Sequence, residues 1–261
     1  MQQRHRDRYQ YFLEQSNTSR DFYVGHVGRF ITASPSNRVL EIGCGEGGNL
    51  LPFAQSGCYV KGIDLDKERV EQARQFFQQS GQLGDFVCQD FLSSQSPLKD
   101  SDRFDVILVH DVIEHIPPSS KKPFFSHIHR FLKQGGIVFF GFPAWHNPFG
   151  GHQQISVGMA SKLPFIHLLP NVLYTSLLRC SGASPMLIEE LLAIKQARMT
   201  IELFERLARQ AGYTVIDRQL WFINPHYRQK FHLKPRKLWP LLGRVPYLRN
   251  YFTTSAFYVI S

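Results

Sequence analysis

The chain has 261 residues, enough for one large domain with an elaboration and too many for a disulfide-stapled minidomain. Hydrophobic residues make up 43% and charged residues 20%, a balance that supports a packed core and excludes disordered and collagen-like classes. The formal net charge of +9 sits mainly at the ends: residues 213–261 hold eight Lys or Arg against Asp217 alone, whereas residues 39–212 are close to neutral.

A basic segment beside a neutral core can be a solvated face, or can meet nucleic acid, anionic lipid or a phosphorylated substrate. Aromatics interleave with the charges (Trp221, Phe222, Tyr227, Phe231, Trp239, Tyr247), but no RNP, KH or helix-turn-helix pattern accompanies them, so nucleic acid is not the expected partner. Arg4, Arg6 and Arg8 are followed by no apolar signal region, and no stretch of about 18 apolar residues occurs. Secretion and a transmembrane segment are therefore not expected, and the chain is placed in a cytoplasm. Cys44, Cys58, Cys88 and Cys180 show no C-x-x-C spacing and are expected to be reduced core thiols.

In chain order, residues 9–31 place apolar side chains at partly helical spacing and predict one or two helices within a segment, 1–34, that covers the core. Residues 38–42 read as a buried strand, 43–48 as a glycine loop and 49–55 as the start of a helix. A strand at 60–64, a helix at 67–79, and strands at 85–88 and 104–109 follow. Next come a helix at 121–132 and a fifth strand at 137–141. This alternation predicts an α/β fold with a parallel sheet wound on both sides. After Pro143 it stops, and residues 144–198 read as an inserted helical cap. An amphipathic helix at 199–210 ends before Gly212, two late strands fall at 214–222 and 254–260, and residues 224–252 form a basic excursion between them. All 261 residues are read as one domain.

The strongest chemical signal is Glu41-Ile42-Gly43-Cys44-Gly45-Glu46-Gly47, because glycines after a buried strand let backbone approach a ligand and open a helix whose amides face it. Gly43, Gly45 and Gly48 also satisfy G-x-G-x-x-G, and Asp64 lies near the spacing of a ribose-gripping acid, so a nicotinamide dinucleotide and an NAD-dependent oxidoreductase stay open at this point. Around the loop stand Glu41, Asp90 after the third strand, and residues 104–116, FDVILVHDVIEHI. No Tyr-x-x-x-Lys pair follows the fourth strand.

With these features the chain resembles the class I S-adenosylmethionine-dependent methyltransferases from about residue 38 to 142, with the late strands fitting that family's closing antiparallel pair. The resemblance implies a Rossmann-like, seven-stranded, mostly parallel sheet and S-adenosylmethionine as cofactor. It implies that Gly43, Gly45 and Gly47, with Cys44 and Glu41, form the methionine-side loop, and that Asp64 binds the ribose hydroxyls. By the same resemblance Leu65 packs on adenine, Asp90 accepts from its amine, Phe91 flanks the base, and His110 and Val112 lie near the methyl end. Carboxylates suit these tasks because a diol and an exocyclic amine are donors; the lesser alternative makes Asp64 and Asp90 caps or turn residues at strand ends.

Asp111 to Ile116, DVIEHI, resembles the E-x-x-E-H stretch of the ubiquinone-pathway O-methyltransferases, with Asp111 in place of the first glutamate. Asp111, Glu114 and His115 at i, i+3 and i+4 could converge on Mg²⁺ or Mn²⁺; the reading adopted gives Glu114 and His115 a structural role beside the cofactor and assigns no metal. Beyond the fifth strand, Pro143 to His152 should border the substrate, and His146 and His152 are the candidate bases for a hydroxyl or amine. His127 and His129 read as surface residues. Trp145, Phe149, Phe165 and Tyr174 of the cap, with Tyr11 and Tyr23, are expected to close over a small-molecule acceptor; the cap aromatics could instead pack the cap itself, and a hydroxyl oxygen as the acceptor atom is implied only by the resemblance around Asp111 to His115. RNA methylation, with Lys230, Lys234, Arg236 and Lys237 on phosphates, and a non-catalytic cofactor-binding protein are the remaining alternatives.

Overall fold

A computed structural model describes residues 7–94 and 99–261. The N-terminal segment is α1 (Arg8–Thr18), a π turn (Ser19–Tyr23) and α2 (Val24–Val27). Asp7 starts α1 by accepting from the Gln10 amide at 2.9 Å, a side-chain N-cap. Then come β1 (Arg38–Ile42), α3 (Leu51–Gln55), β2 (Tyr59–Asp64), α4 (Lys67–Gln79), β3 (Asp85–Cys88), β4 (Phe104–His110), α5 (Pro118–Ile128) and β5 (Leu132–Phe142). Past β5 lie α6 (Asn171–Cys180), α7 (Pro185–Ala197), α8 (Ile201–Gln210), β6 (Val215–Ile223), α9 (Tyr227–Phe231), β7 (Arg236–Lys237), α10 (Pro240–Gly243) and β8 (Ser255–Ile260).

The sheet runs β3-β2-β1-β4-β5-β8-β6-β7, parallel from β3 to β5, with β8 inserted antiparallel between β5 and β6. The seven expected strands are present; the eighth, β7, is a two-residue edge pairing Lys237 with Trp221. Alternation along the central strands sends Leu40, Ile107, Phe140 and Tyr258 into one core and Val39, Leu108, Phe139 and Phe257 into the other, so helices must cover both faces. Truncating Phe139 or Phe140 to Ala would cost about 3–5 kcal/mol. The predicted helix at 121–132 starts earlier and stops at Ile128, because Leu132 already pairs with Phe104 in the sheet.

The cap region holds α6 and α7 around a third cluster that includes Trp145, Ile166, Tyr174, Leu178, Leu191 and Ile194. Trp145 and Tyr174 therefore pack the cap's interior rather than lining an acceptor site. Two further expectations are corrected. His127 is buried, with its ring 4.9 Å from that of Phe91, and Cys88 and Cys180 are exposed while Cys44 and Cys58 are buried. Strand order reverses between β1 and β4, and this switch point opens a crevice at the strands' carboxyl ends, where ligands of open α/β sheets bind.

Candidate active site at the sheet switch point

The loop after β1 is shaped by three left-handed glycines, Gly43 (φ +71°), Gly45 (φ +50°) and Gly47 (φ +80°), which L side chains resist. A Cβ at Gly43 would lie 2.3 Å from Val112 Cγ2, so that position also needs glycine for space. Beneath the loop the buried Glu41 accepts from Asn49 Nδ2 at 2.7 Å through Oε1. Burial pushes its carboxyl up to about 8 against that hydrogen bond. Burial also raises the Cys44 thiol, which keeps it an inert packing group. Glu46 is fully buried, paired with Arg8 at 2.8 Å and lying 3.9 Å from Arg69 Nε. This Arg8–Glu46 link, which fastens α1 to the loop, was not anticipated; the only signal in the sequence was an acid inside the glycine motif.

Asp64, at the end of β2, is bound to the loop: its Oδ2 accepts from the Gly45 amide at 2.7 Å, and Oδ1 from the Asp66 amide at 2.9 Å. An ionised carboxylate has about four acceptor directions, so capacity remains for a diol. Leu65, beside it, is 73% exposed and offers an uncovered apolar surface. Asp90 is exposed at the end of β3 and caps the following turn by accepting from the Leu92 amide at 3.0 Å. This cap engages Oδ1. The Phe91 ring is committed to the core, with ring centroids 5.5 Å from Phe124 and 5.0 Å from Phe131, and does not face the opening.

After β4, His110 bonds through Nε2 to Tyr23 Oη at 2.8 Å, and its Nδ1 lies 3.3 Å from Asp111 Oδ2. Asp111 has φ +54°, a strained backbone for a residue with a side chain. Burial would raise its carboxyl, but His110, His152 and His226 hold it down at about 2. Asp111 lines a cavity of about 570 Å³ with Arg8, Tyr11, Arg69, His152 and His226. The walls come from α1, the loop after β4, the cap (Phe149, Gln154, Met186) and the segment after β6 (Asn224, Tyr227). His226 and Tyr227 were missed in the sequence because they lie over 100 residues from DVIEHI in the chain. His226 Nδ1 meets Thr18 Oγ1 at 3.0 Å, joining that segment to α1.

The two candidate bases separate. His152 lines the cavity, its Nε2 3.9 Å from Glu114 Oε1 and its ring 4.9 Å from His115. Burial and neighbouring His115 lower it to about 4, so it is a neutral imidazole near pH 7. His146 instead packs against Tyr251 at 5.1 Å between ring centroids and is not among the cavity's lining residues. The metal-like grouping also differs from the spacing argument. Ligand atoms of Glu114, His115 and His152 lie within 4.8 Å of one another, and Asp111 is not part of the group. Glu114 is buried, neither of its oxygens has a hydrogen-bond partner, and burial together with Asp111 raises its carboxyl well above the usual range. One carboxyl and two imidazoles are a donor set that a divalent cation can use once the carboxyl gives up its proton.

Residues 40–140 match the methyltransferase-domain family, a span running from β1 through nearly all of β5. Residues 40–140 thus form a methyltransferase domain, and sequence and fold together support the class I S-adenosylmethionine-dependent family. It is 30% identical over 149 residues to the ubiquinone biosynthesis O-methyltransferase of Pasteurella multocida, which covers 49% of this chain and 60% of that protein. The chain thus spans little more than half the length of the curated relatives it matches. Among solved structures, an S-adenosylmethionine-dependent methyltransferase from Clostridium acetobutylicum superimposes with TM-score 0.58 at 13% identity, over 94% of this chain and 91% of that one. Magnesium protoporphyrin IX methyltransferase from Synechocystis, solved with bound SAH, gives TM-score 0.55 at 15% identity, over 95% of this chain and 82% of that one. These two share the fold of this methyltransferase domain. Among the described residues no helix is long and apolar enough to cross a membrane.

Proposed function

We propose that the chain transfers the methyl group of S-adenosylmethionine to a hydroxyl oxygen of a small molecule held in the cavity beside Asp111 and His152. The observation that carries this reading is the glycine loop after β1, tied to Asp64 at 2.7 Å and flanked by the arginines that line the same cavity as His152. The residues present fit the cofactor: a left-handed glycine cradle in which a Cβ at Gly43 or Gly47 would collide with Val112 or Phe86, two carboxylates for a diol and an amine, and an uncovered Leu65 for a base. When bound, the cofactor supplies an activated methyl on a sulfonium.

The chain's own tasks are alignment, exclusion of water and removal of one proton. Tyr11, Phe149 and Tyr227 wall the cavity from three segments and favour an acceptor of limited size over RNA. His152 is the proposed base. With Nε2 turned toward Glu114, Nδ1 is the atom assigned to receive the hydroxyl proton as the methyl leaves sulfur. Tyr23 and Asp111 fix the ring of His110 at the end of β4. Oxygen as the acceptor atom is supported by the resemblance of DVIEHI and by the names of the ubiquinone-pathway relatives.

Incubation with methyl-labelled S-adenosylmethionine and a panel of phenols, catechols and aliphatic alcohols tests the proposal. Label should pass to at least one acceptor with equimolar S-adenosylhomocysteine, and His152→Ala should lower kcat by about 10²–10⁴-fold. Cofactor binding without transfer to any hydroxyl, or transfer that His152→Ala leaves unchanged, would overturn it.

A further inference from the structure

The excursion between β6 and β8 carries a second surface that methyl transfer does not use. Residues 224–252 contain seven Lys or Arg and no Asp or Glu. Two of these charges already have carboxylate partners: Arg228 pairs at the surface with Asp21 at 3.1 Å, and the buried Arg249 with Glu202 and Glu205 at 2.9 and 3.1 Å. Lys234, Arg236, Lys237 and Arg244 are exposed, and none of them forms an ion pair among the described residues.

The same stretch exposes large apolar side chains that a solvated basic face does not need. Trp239 is 67% exposed and Tyr247 71%, with Leu241 and Val245 exposed between them and Leu248 exposed just after. They surround α10, whose Pro240 and Gly243 face a groove of about 780 Å³ shared with Arg29, Lys237 and Arg244. Within the groove Asp217 is already engaged by His26 at 2.9 Å and Arg29 at 3.2 Å, so it does not neutralise Lys237 or Arg244. Residues 237–244 therefore turn cations toward a cleft and Trp239 and Leu241 toward solvent.

We propose that this face, α10 with its flanks and the β7 edge, docks the protein peripherally on an anionic lipid bilayer. Lys237 and Arg244 meet lipid phosphates at the groove, while Trp239, Leu241, Val245 and Tyr247 enter the interfacial layer. Charge complementarity selects the occupant. Cations without carboxylate partners repel a second copy of the same face, whereas a bilayer satisfies both halves of the surface, phosphate for the cations and acyl boundary for the indole and aliphatic groups. Tryptophan and tyrosine also favour the headgroup level over bulk water or hydrocarbon. Attachment of this kind needs no spanning helix. It is independent of the methyl-transfer proposal, since vesicle binding can be read without turnover.

The test is co-sedimentation of the full chain with vesicles of phosphatidylcholine, alone or with roughly one mole in four of phosphatidylglycerol, at rising salt. Binding is expected on the anionic vesicles, weakening steeply with salt, and little on the neutral ones. The pair Lys237→Glu and Arg244→Glu should weaken partitioning by about 25-fold or more, taking about fivefold per charge. The pair Trp239→Ser and Leu241→Ser should also release the protein while the charges remain. All four positions are exposed, so unchanged thermal midpoints and unchanged S-adenosylmethionine affinity certify the variants. The proposal fails if anionic vesicles bind no better than neutral ones. It fails likewise if inorganic phosphate or RNA binds at Lys237 and Arg244 without vesicle binding, or if Trp239→Ser and Leu241→Ser only dissolve a dimer seen by light scattering.

Discussion

Replacing Gly43 with Ala separates two costs that the loop geometry superimposes. At φ +71° a residue with a Cβ loses about 1–2 kcal/mol relative to glycine. The new methyl would also sit 2.3 Å from Val112 Cγ2, an overlap of the overpacking kind that costs about 1–3 kcal/mol. Together they predict a loss of about 2–5 kcal/mol, and at about 2–4 °C per kcal/mol a fall in Tm of roughly 4–20 °C. Only the overlap can be relieved, by Val112→Ala. In a double-mutant cycle read by thermal denaturation, the coupling energy should recover about 1–3 kcal/mol and leave the backbone strain behind. Titration calorimetry should show S-adenosylmethionine affinity reduced in Gly43→Ala and partly restored in the double variant. A Gly43→Ala protein with wild-type Tm and affinity, or a cycle with no coupling, would refute the reasoning.

The cavity yields further expectations. Because His152 titrates near 4, the pH profile of kcat/KM should show an acid limb only below about pH 5 and stay flat through neutrality, and His146→Ala should leave kcat/KM within twofold. A limb near 6.5 would show that another group is the base. Exhaustive chelation is expected to leave turnover unchanged; loss reversed by Mg²⁺ or Mn²⁺ would instead assign Glu114, His115 and His152 to a cation. Burial lowers His152 and His167 to about 4, below the 6.5 of an unfolded histidine. Between these values the unfolded chain binds more protons, so stability should be fully present above pH 6.5 and fall by up to about 3 kcal/mol per histidine as pH drops toward 4. Urea unfolding across that window checks it, and His167→Asn should flatten the slope.

The sheet was legible because its strands are buried on both faces, and such strands appear as short apolar runs: 38–42, 104–109 and 137–141 stand out from any helical period. β7 was not, since two residues after Pro235 make no pattern and depend on Trp221 across the ladder. The cap helices were obscured because α6 and α7 bury Tyr174, Leu178, Leu191 and Ile194 against one another, which moves their apolar residues away from a single core-facing stripe. At the site, Asp64 and the glycines could be read as a local unit of strand, loop and strand. His226, Tyr227 and Arg8 could not, because only the fold brings the segment after β6 and the N-terminal helix to the carboxyl ends of β1 and β4. The two histidines after β5 looked equivalent in sequence. A turn at 147–150 separates them, sending His152 toward Glu114 and His146 toward Tyr251.

Titration calorimetry with S-adenosylmethionine, S-adenosylhomocysteine and NADH on wild type and Asp64→Ala decides whether the loop tied to Asp64 is a site for S-adenosylmethionine. Wild type should bind both sulfur ligands at about micromolar Kd and no NADH, and Asp64→Ala should lose at least about tenfold as two charge-assisted hydrogen bonds to the ribose disappear. Binding of NADH in place of the sulfur ligands, or sulfur-ligand affinity indifferent to Asp64, would contradict it.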